Sequence, residues 1–208
     1  MTMNILRKEF RYSFDYITLY IIGVNFIIYF ITMASPLLFY NLALIPELTR
    51  NGALWQPITY MFVHAGFQHI FFNMLGLLIF GLAVERTMGS KEFLLFYLVT
   101  GTLAGLFSLF AFMLMGINAP LVGASGAVFG VLFAYAVIYP RSIIYIWGII
   151  PVRAPLLVLG YTILEIFNEI TGLQGNVAHL THLAGFAFAA AYFPIRHGIN
   201  PIKRLMIR

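Results

Sequence analysis

The placement of charge constrains this chain more than any other feature. Long apolar stretches alternate with short connections, and the basic residues fall on every second connection. Arg7, Lys8 and Arg11 precede the first stretch, and Arg86 and Lys91 separate the second from the third. Arg141 and Arg153 separate the fourth from the fifth, and Arg196, Lys203, Arg204 and Arg208 follow the sixth. Eleven of the twelve Lys and Arg residues therefore share one side of a six-span arrangement, with only Arg50 opposite. A miscounted span would scramble this asymmetry. The positive-inside rule then puts both termini in the cytoplasm. Only 9% of the residues are charged and 62% are hydrophobic, whereas soluble domains carry about 25% charged residues.

The expected fold is an all-α membrane protein, one six-helix bundle over residues 1–208 with short basic cytoplasmic tails. The spans are expected near 16–40, 68–86, 92–115, 125–140, 155–171 and 177–195. No cleavable signal is evident, because the first apolar stretch is long enough to span and lacks a short core with a clean cleavage site. The net charge of +5 follows from loop placement, so the lipid bilayer is an expected partner and nucleic acid is not. The absence of cysteine excludes thiol catalysis, disulfides and cysteine-ligated zinc. Residues 36–57 form a long outer loop carrying Glu47, Arg50, Trp55 and Gln56. Residues 141–153 are apolar but hold Gly148 and Pro151, which predicts a loop or short strand at the cytoplasmic face.

The fourth stretch opens on a serine within Gly123-Ala124-Ser125-Gly126. The roughly 15 residues from Ser125 to Tyr139 span about 22 Å as a helix, against a hydrocarbon core of about 30 Å. With Arg141 at one face, Ser125 lies below the other. A hydroxyl held at that depth is a functional-site hypothesis. The glycines permit a tight turn and close approach, and the first-turn N–H groups can stabilise an oxyanion. Taken alone, the string is common, and a helix-capping serine is its usual reading.

Two further groups lie at membrane depth. His179 and His182 are three apart and share a helix face, and histidine is the usual proton acceptor for a serine hydroxyl. Gly126 and Gly130 form one pair of small residues, and Gly185 and Ala189 another. Such pairs let membrane helices approach closely. Docking them favours His182 as the partner of Ser125. His179 sits one turn further out and is at least as well suited to structural hydrogen bonding. His69 and Asn73 are four apart on the second stretch, and both can donate to an oxyanion or serve as polar glue between helices. His64 fits a loop-ordering role, and His197 belongs to the basic tail.

Together these residues resemble the rhomboid family of intramembrane serine proteases over about 55–193. The family's G-x-S-G is Gly123-Ala124-Ser125-Gly126. Its H-x-x-x-N is His69-Ile70-Phe71-Phe72-Asn73, preceded by His64. Its A-H-x-x-G is Thr181-His182-Leu183-Ala184-Gly185. The segment Gly81-Leu82-Ala83-Val84-Glu85 is also similar. The resemblance implies a rhomboid-like bundle whose short fourth helix starts inside the bilayer. It implies a catalytic Ser125–His182 dyad without an acidic third member. It assigns an oxyanion hole to the Ser125 N–H, His69 and Asn73, with His64, Gly123, Gly126, Phe129 and Gly185 supporting the site. Transmembrane segments of other membrane proteins would be the substrates, cut near their outer ends. No metal or other cofactor is implied, and a multi-pass protein of a prokaryotic plasma membrane is expected. Four positions depart from the pattern: Thr181 replaces alanine, Gln56 replaces arginine after Trp55, Phe129 lacks a tyrosine hydroxyl, and Ala189 replaces glycine. Two other readings compete. One is an inactive relative that binds membrane clients. The other is a metal- or proton-handling carrier using His64, His69, His179 and His182.

Overall fold

The computed structural model describes residues 7–8, 10–146, 148–171 and 177–206, without the side chains of 177 and 178. Arg208, counted above with the basic tail, lies outside the described residues.

Helix α1 (Ile17–Ala34) stops at Ser35, whose backbone is extended (φ −139°, ψ 99°). The expected first span of 16–40 is therefore corrected to α1 followed by a separate helix α2 (Pro36–Leu42). The cause is local. A proline forces its predecessor out of helical geometry, and at a first helical position its missing N–H is no loss. The outer loop continues through two short helices, α3 (Pro46–Arg50) and α4 (Gln56–Thr59). Next comes α5 (Phe67–Met88), which is wound as a π-helix over Leu77–Gly81. After Gly89 the chain enters α6 (Ser90–Met115). Helix α7 (Ser125–Ile138) has 14 residues.

The apolar segment after α7 forms an antiparallel hairpin of β1 (Ile143–Ile146) and β2 (Ile150–Arg153). Ile143 faces Arg153 and Ile146 faces Ile150 across it. Gly148 closes the turn at φ +72°, a conformation that a side chain would oppose. This short strand pair leads directly into α8 (Ala154–Thr171). Helix α9 (Val177–Tyr192) runs on through a π turn at Phe193–His197, and α10 (Pro201–Leu205) follows. Among the described residues, α1, α5, α6 and α8 are long and apolar enough to cross a membrane.

Helix α7 is the centre of the bundle. Between 126 and 137 every residue except Phe129 and Tyr135 is buried. Close approach to α9 is enforced by glycine. A Cβ on Gly185 would lie 2.1 Å from the Gly126 carbonyl oxygen, and one on Gly126 would lie 3.0 Å from Thr181 Cγ2. In lipid, such contact replaces the hydrophobic force that drives packing in water.

Buried carboxylates fasten the helix ends far from Ser125 along the chain. Glu85 accepts from the Ile17 and Thr18 N–H groups at 2.7 and 2.9 Å, and from the Thr18 and Ser90 hydroxyls at 2.6 Å each. It thereby satisfies donors that α1 cannot satisfy itself. Glu92 takes a forked contact from Arg196, whose terminal nitrogen lies 2.7 Å away, and a 2.6 Å bond from the Tyr192 hydroxyl. This joins the start of α6 to the end of α9.

Candidate active site

Gly123 is the entry to the site. Its N–H donates to the Tyr60 carbonyl at 3.0 Å, and its φ is +119°. A Cβ there would fall 2.5 Å from His69 Nε2, so glycine is required both by conformation and by the imidazole beside it. The next residue, Ala124, occupies the capping position of α7, and no side chain caps that helix. Ser125 is thus the first helical residue, not the cap. Its hydroxyl is free for another partner.

That partner is on α9. His182 Nε2 lies 2.7 Å from Ser125 Oγ. The imidazole stacks on the Phe129 ring with centroids 4.2 Å apart and 12° between planes. Phe129 keeps the ring contact that the site needs and requires no hydroxyl for it. Ser125 and His182 are both partly exposed, so neither is sealed in the core. The first-turn N–H groups of α7 point out of the helix end beside Ser125 and lack intrahelical acceptors.

His69 and His64 cross edge to face with centroids 5.0 Å apart. Burial, reinforced by the neighbouring His69, lowers the pKa of His64 to about 3. The neutral ring accepts from the Ala124 N–H at 3.4 Å, which orders the turn carrying Ser125. Asn73 is buried and donates one amide hydrogen to the His69 carbonyl at 2.8 Å. Its second hydrogen remains for another acceptor.

Two further departures from the family pattern, Thr181 and Gln56, have local explanations. The Thr181 hydroxyl lies 2.7 Å from Ser108 Oγ, a buried link between α9 and α6 that alanine would lack. Gln56 is fully buried. Its oxygen accepts from Ile45 N–H and Thr49 Oγ1, each at 3.0 Å, and its nitrogen donates to the Asn41 carbonyl at 3.1 Å. An amide therefore ties together the outer loop, while Trp55 Nε1 donates to the same Asn41 carbonyl at 2.9 Å.

One residue was missed as a site member. Glu165 of α8 is buried, with Oε1 3.1 Å from His182 Nδ1 and Oε2 in contact with His179 Nδ1. The His179 contact is a directed hydrogen bond, whereas the His182 contact is close but less well aligned. The signal was present in the sequence, because an acid inside an apolar span calls for a partner. Among the described residues, the donor atoms of Glu165, His179 and His182 lie within 4.8 Å of one another, a spacing that a divalent cation could also use. His64 and His69 sit by Gly123 and Ala124, and His179 and His182 both face Glu165.

The class defined by this fold and site is a polytopic helical membrane protein with a serine and a histidine in hydrogen-bonding contact. Residues 51–198 match the Rhomboid domain family model. The chain belongs to the rhomboid family. It is similar to the rhomboid protease AarA of Providencia stuartii, with 28% identity over 95% of this chain and 79% of that one. It is 34% identical to the mitochondrial RHOMBOID-like protein 12 of Arabidopsis thaliana, over 72% of this chain and 48% of that one. It is also 24% identical to a protein named inactive RHOMBOID-like protein 8 from the same plant, over 67% of this chain and 37% of that one. The chain spans about half to just under two thirds of the length of several curated relatives it matches.

Proposed function

We propose that this chain is an intramembrane serine endopeptidase acting through Ser125 and His182. The 2.7 Å contact between Ser125 Oγ and His182 Nε2 carries the reading. In the proposed cycle, Ser125 Oγ attacks the scissile carbonyl carbon and His182 Nε2 takes the hydroxyl proton. The carbonyl electron pair moves to oxygen. The Ser125 N–H, His69 and Asn73 stabilise that oxyanion, each donor contributing about 10²-fold or more in systems of this kind. Collapse breaks the C–N bond, and His182 gives its proton to the leaving amine. Water, deprotonated by His182, then hydrolyses the acyl-enzyme and restores Ser125.

The substrates are transmembrane segments of other membrane proteins, cut near their outer ends. The chain forms one six-span unit with both termini in the cytoplasm, in a prokaryotic plasma membrane. Helix α7, at 14 residues, is about 21 Å long and starts inside a core of about 30 Å. The relative named as a protease supports this reading. The one named inactive defines its alternative, a client-binding protein.

The test is cleavage of a reporter with a transmembrane segment by purified protein in liposomes. Cleavage that persists in EDTA and disappears with Ser125→Ala supports the proposal. Cleavage that needs a metal, or that survives Ser125→Ala, overturns it. Binding of the reporter without cleavage by folded protein favours the client-binding alternative.

A further inference from the structure

Beyond the serine and histidine, we propose that Glu165 is a positioning residue that fixes the working tautomer of His182, with His179 holding the carboxylate in place. The inference rests on the peptidase reading above. A neutral imidazole carries one proton, on either ring nitrogen. To accept from Ser125 Oγ, Nε2 must be bare, so the proton must sit on Nδ1. Nδ1 is the atom that faces Glu165 Oε1 at 3.1 Å. An ionised carboxylate accepts but cannot donate, so it favours the Nδ1–H form over its alternative. When His182 takes the serine proton, the resulting cation lies beside a negative charge. Glu165 keeps no proton in this scheme, and none is relayed through it.

The second observation concerns why a carboxylate is tolerated in an apolar helix. A buried charge is costly unless it is hydrogen-bonded. Glu165 Oε2 accepts from His179 Nδ1–H, and His179 is itself buried. Two imidazoles three residues apart on α9 thus address the two oxygens of one carboxylate on α8. His179 fixes where the carboxylate sits, and the carboxylate fixes which way His182 is protonated. Among the described residues, Glu169 of α8 and His69 of α5 are further ionisable groups near this cluster, Glu169 on the side of His179 and His69 on that of His182.

The experiment uses the full chain, 15N-labelled at histidine, in liposomes with EDTA present. Nitrogen NMR of His182, assigned by loss of its signals in His182→Gln, reports the tautomer without any need for activity. The expected result is a protonated Nδ1 and a bare Nε2 in the wild type, lost or mixed in Glu165→Gln. Kinetics on the reporter should show kcat reduced about 10²-fold with KM changed less than about threefold, less than the ~10⁴-fold that a reversed tautomer costs a fully aligned triad. Glu165→Asp should recover part of that loss, which a packing role would not predict. A protonated Nε2 in the wild type overturns the inference, as does a kcat for folded Glu165→Gln within about threefold of wild type. If Glu165→Gln does not fold, the wild-type tautomer alone decides. If wild-type protein shows the expected tautomer but cleaves nothing, the peptidase reading fails and the Glu165 contact stands.

Discussion

Helices α7 and α8 are both apolar, yet they bury opposite things. On α7 nearly everything from 126 to 137 is enclosed, with glycines at the seam to α9 and Leu132 and Phe133 among the buried side chains. On α8 Leu156, Leu159, Leu164, the isoleucines and Phe167 face outward, with Ile163 59% and Ile170 80% exposed, while Glu165 and Asn168 are buried. In lipid, tails are as apolar as leucine, so large side chains gain little by turning inward. Small size marks the seam of α7 with α9, and polarity marks the inner face of α8. Ser125, the proposed nucleophile, rides on the encased helix. The carboxylate behind the histidine rides on the peripheral one.

The first way to break this contrast is at the encased helix's reacting end. Ser125→Ala and His182→Ala should each lower kcat by at least about 10³-fold while leaving the helical circular dichroism intact. An active, folded Ser125→Ala protein would remove α7 from the chemistry. A smaller effect is expected at the packing seam. Gly185→Val would drive a side chain into the Gly126 carbonyl and should cost about 3 kcal/mol or more. Thermal unfolding in detergent should show this as a markedly lower midpoint. A midpoint equal to wild type would mean that the α7–α9 seam is looser than described. Removing an oxyanion donor comes next. His69→Ala or Asn73→Ala should reduce kcat about 10²-fold, and unchanged kcat in both would leave the α7 backbone as the sole donor. The least sensitive site is the outer face of α8. Leu164 is 53% exposed, and Leu164→Ala should alter stability by less than about 0.5 kcal/mol. A large loss in the same unfolding assay would show that this face is covered by protein.

The same contrast explains what the sequence made legible. Membrane embedding followed from apolar content and from the one-sided basic residues, because charge is excluded from the core whatever the fold. The pairing of Ser125 with His182 followed from Gly126 and Gly185, since only closely docked helices bring those side chains together. The break at Ser35 was encoded in Pro36 but was hidden by the continuous apolar run from 16 to 40. The hairpin at 143–153 was half visible through Gly148 and Pro151. The role of Glu165 was not legible, because its partners His179 and His182 belong to another helix and spacing along one chain cannot show such a contact. Thr181 and Gln56 looked like departures from a pattern. Each instead makes a specific buried hydrogen bond, to Ser108 and to Ile45 and Thr49.

The most direct test of the central claim is covalent capture of the nucleophile. Wild-type protein in liposomes would be treated with a fluorophosphonate, and the modified residue would be mapped by mass spectrometry. A single adduct on Ser125, formed much more slowly in His182→Ala, is the predicted result. No adduct on Ser125, or labelling at the same rate without His182, would contradict a serine activated by its histidine neighbour.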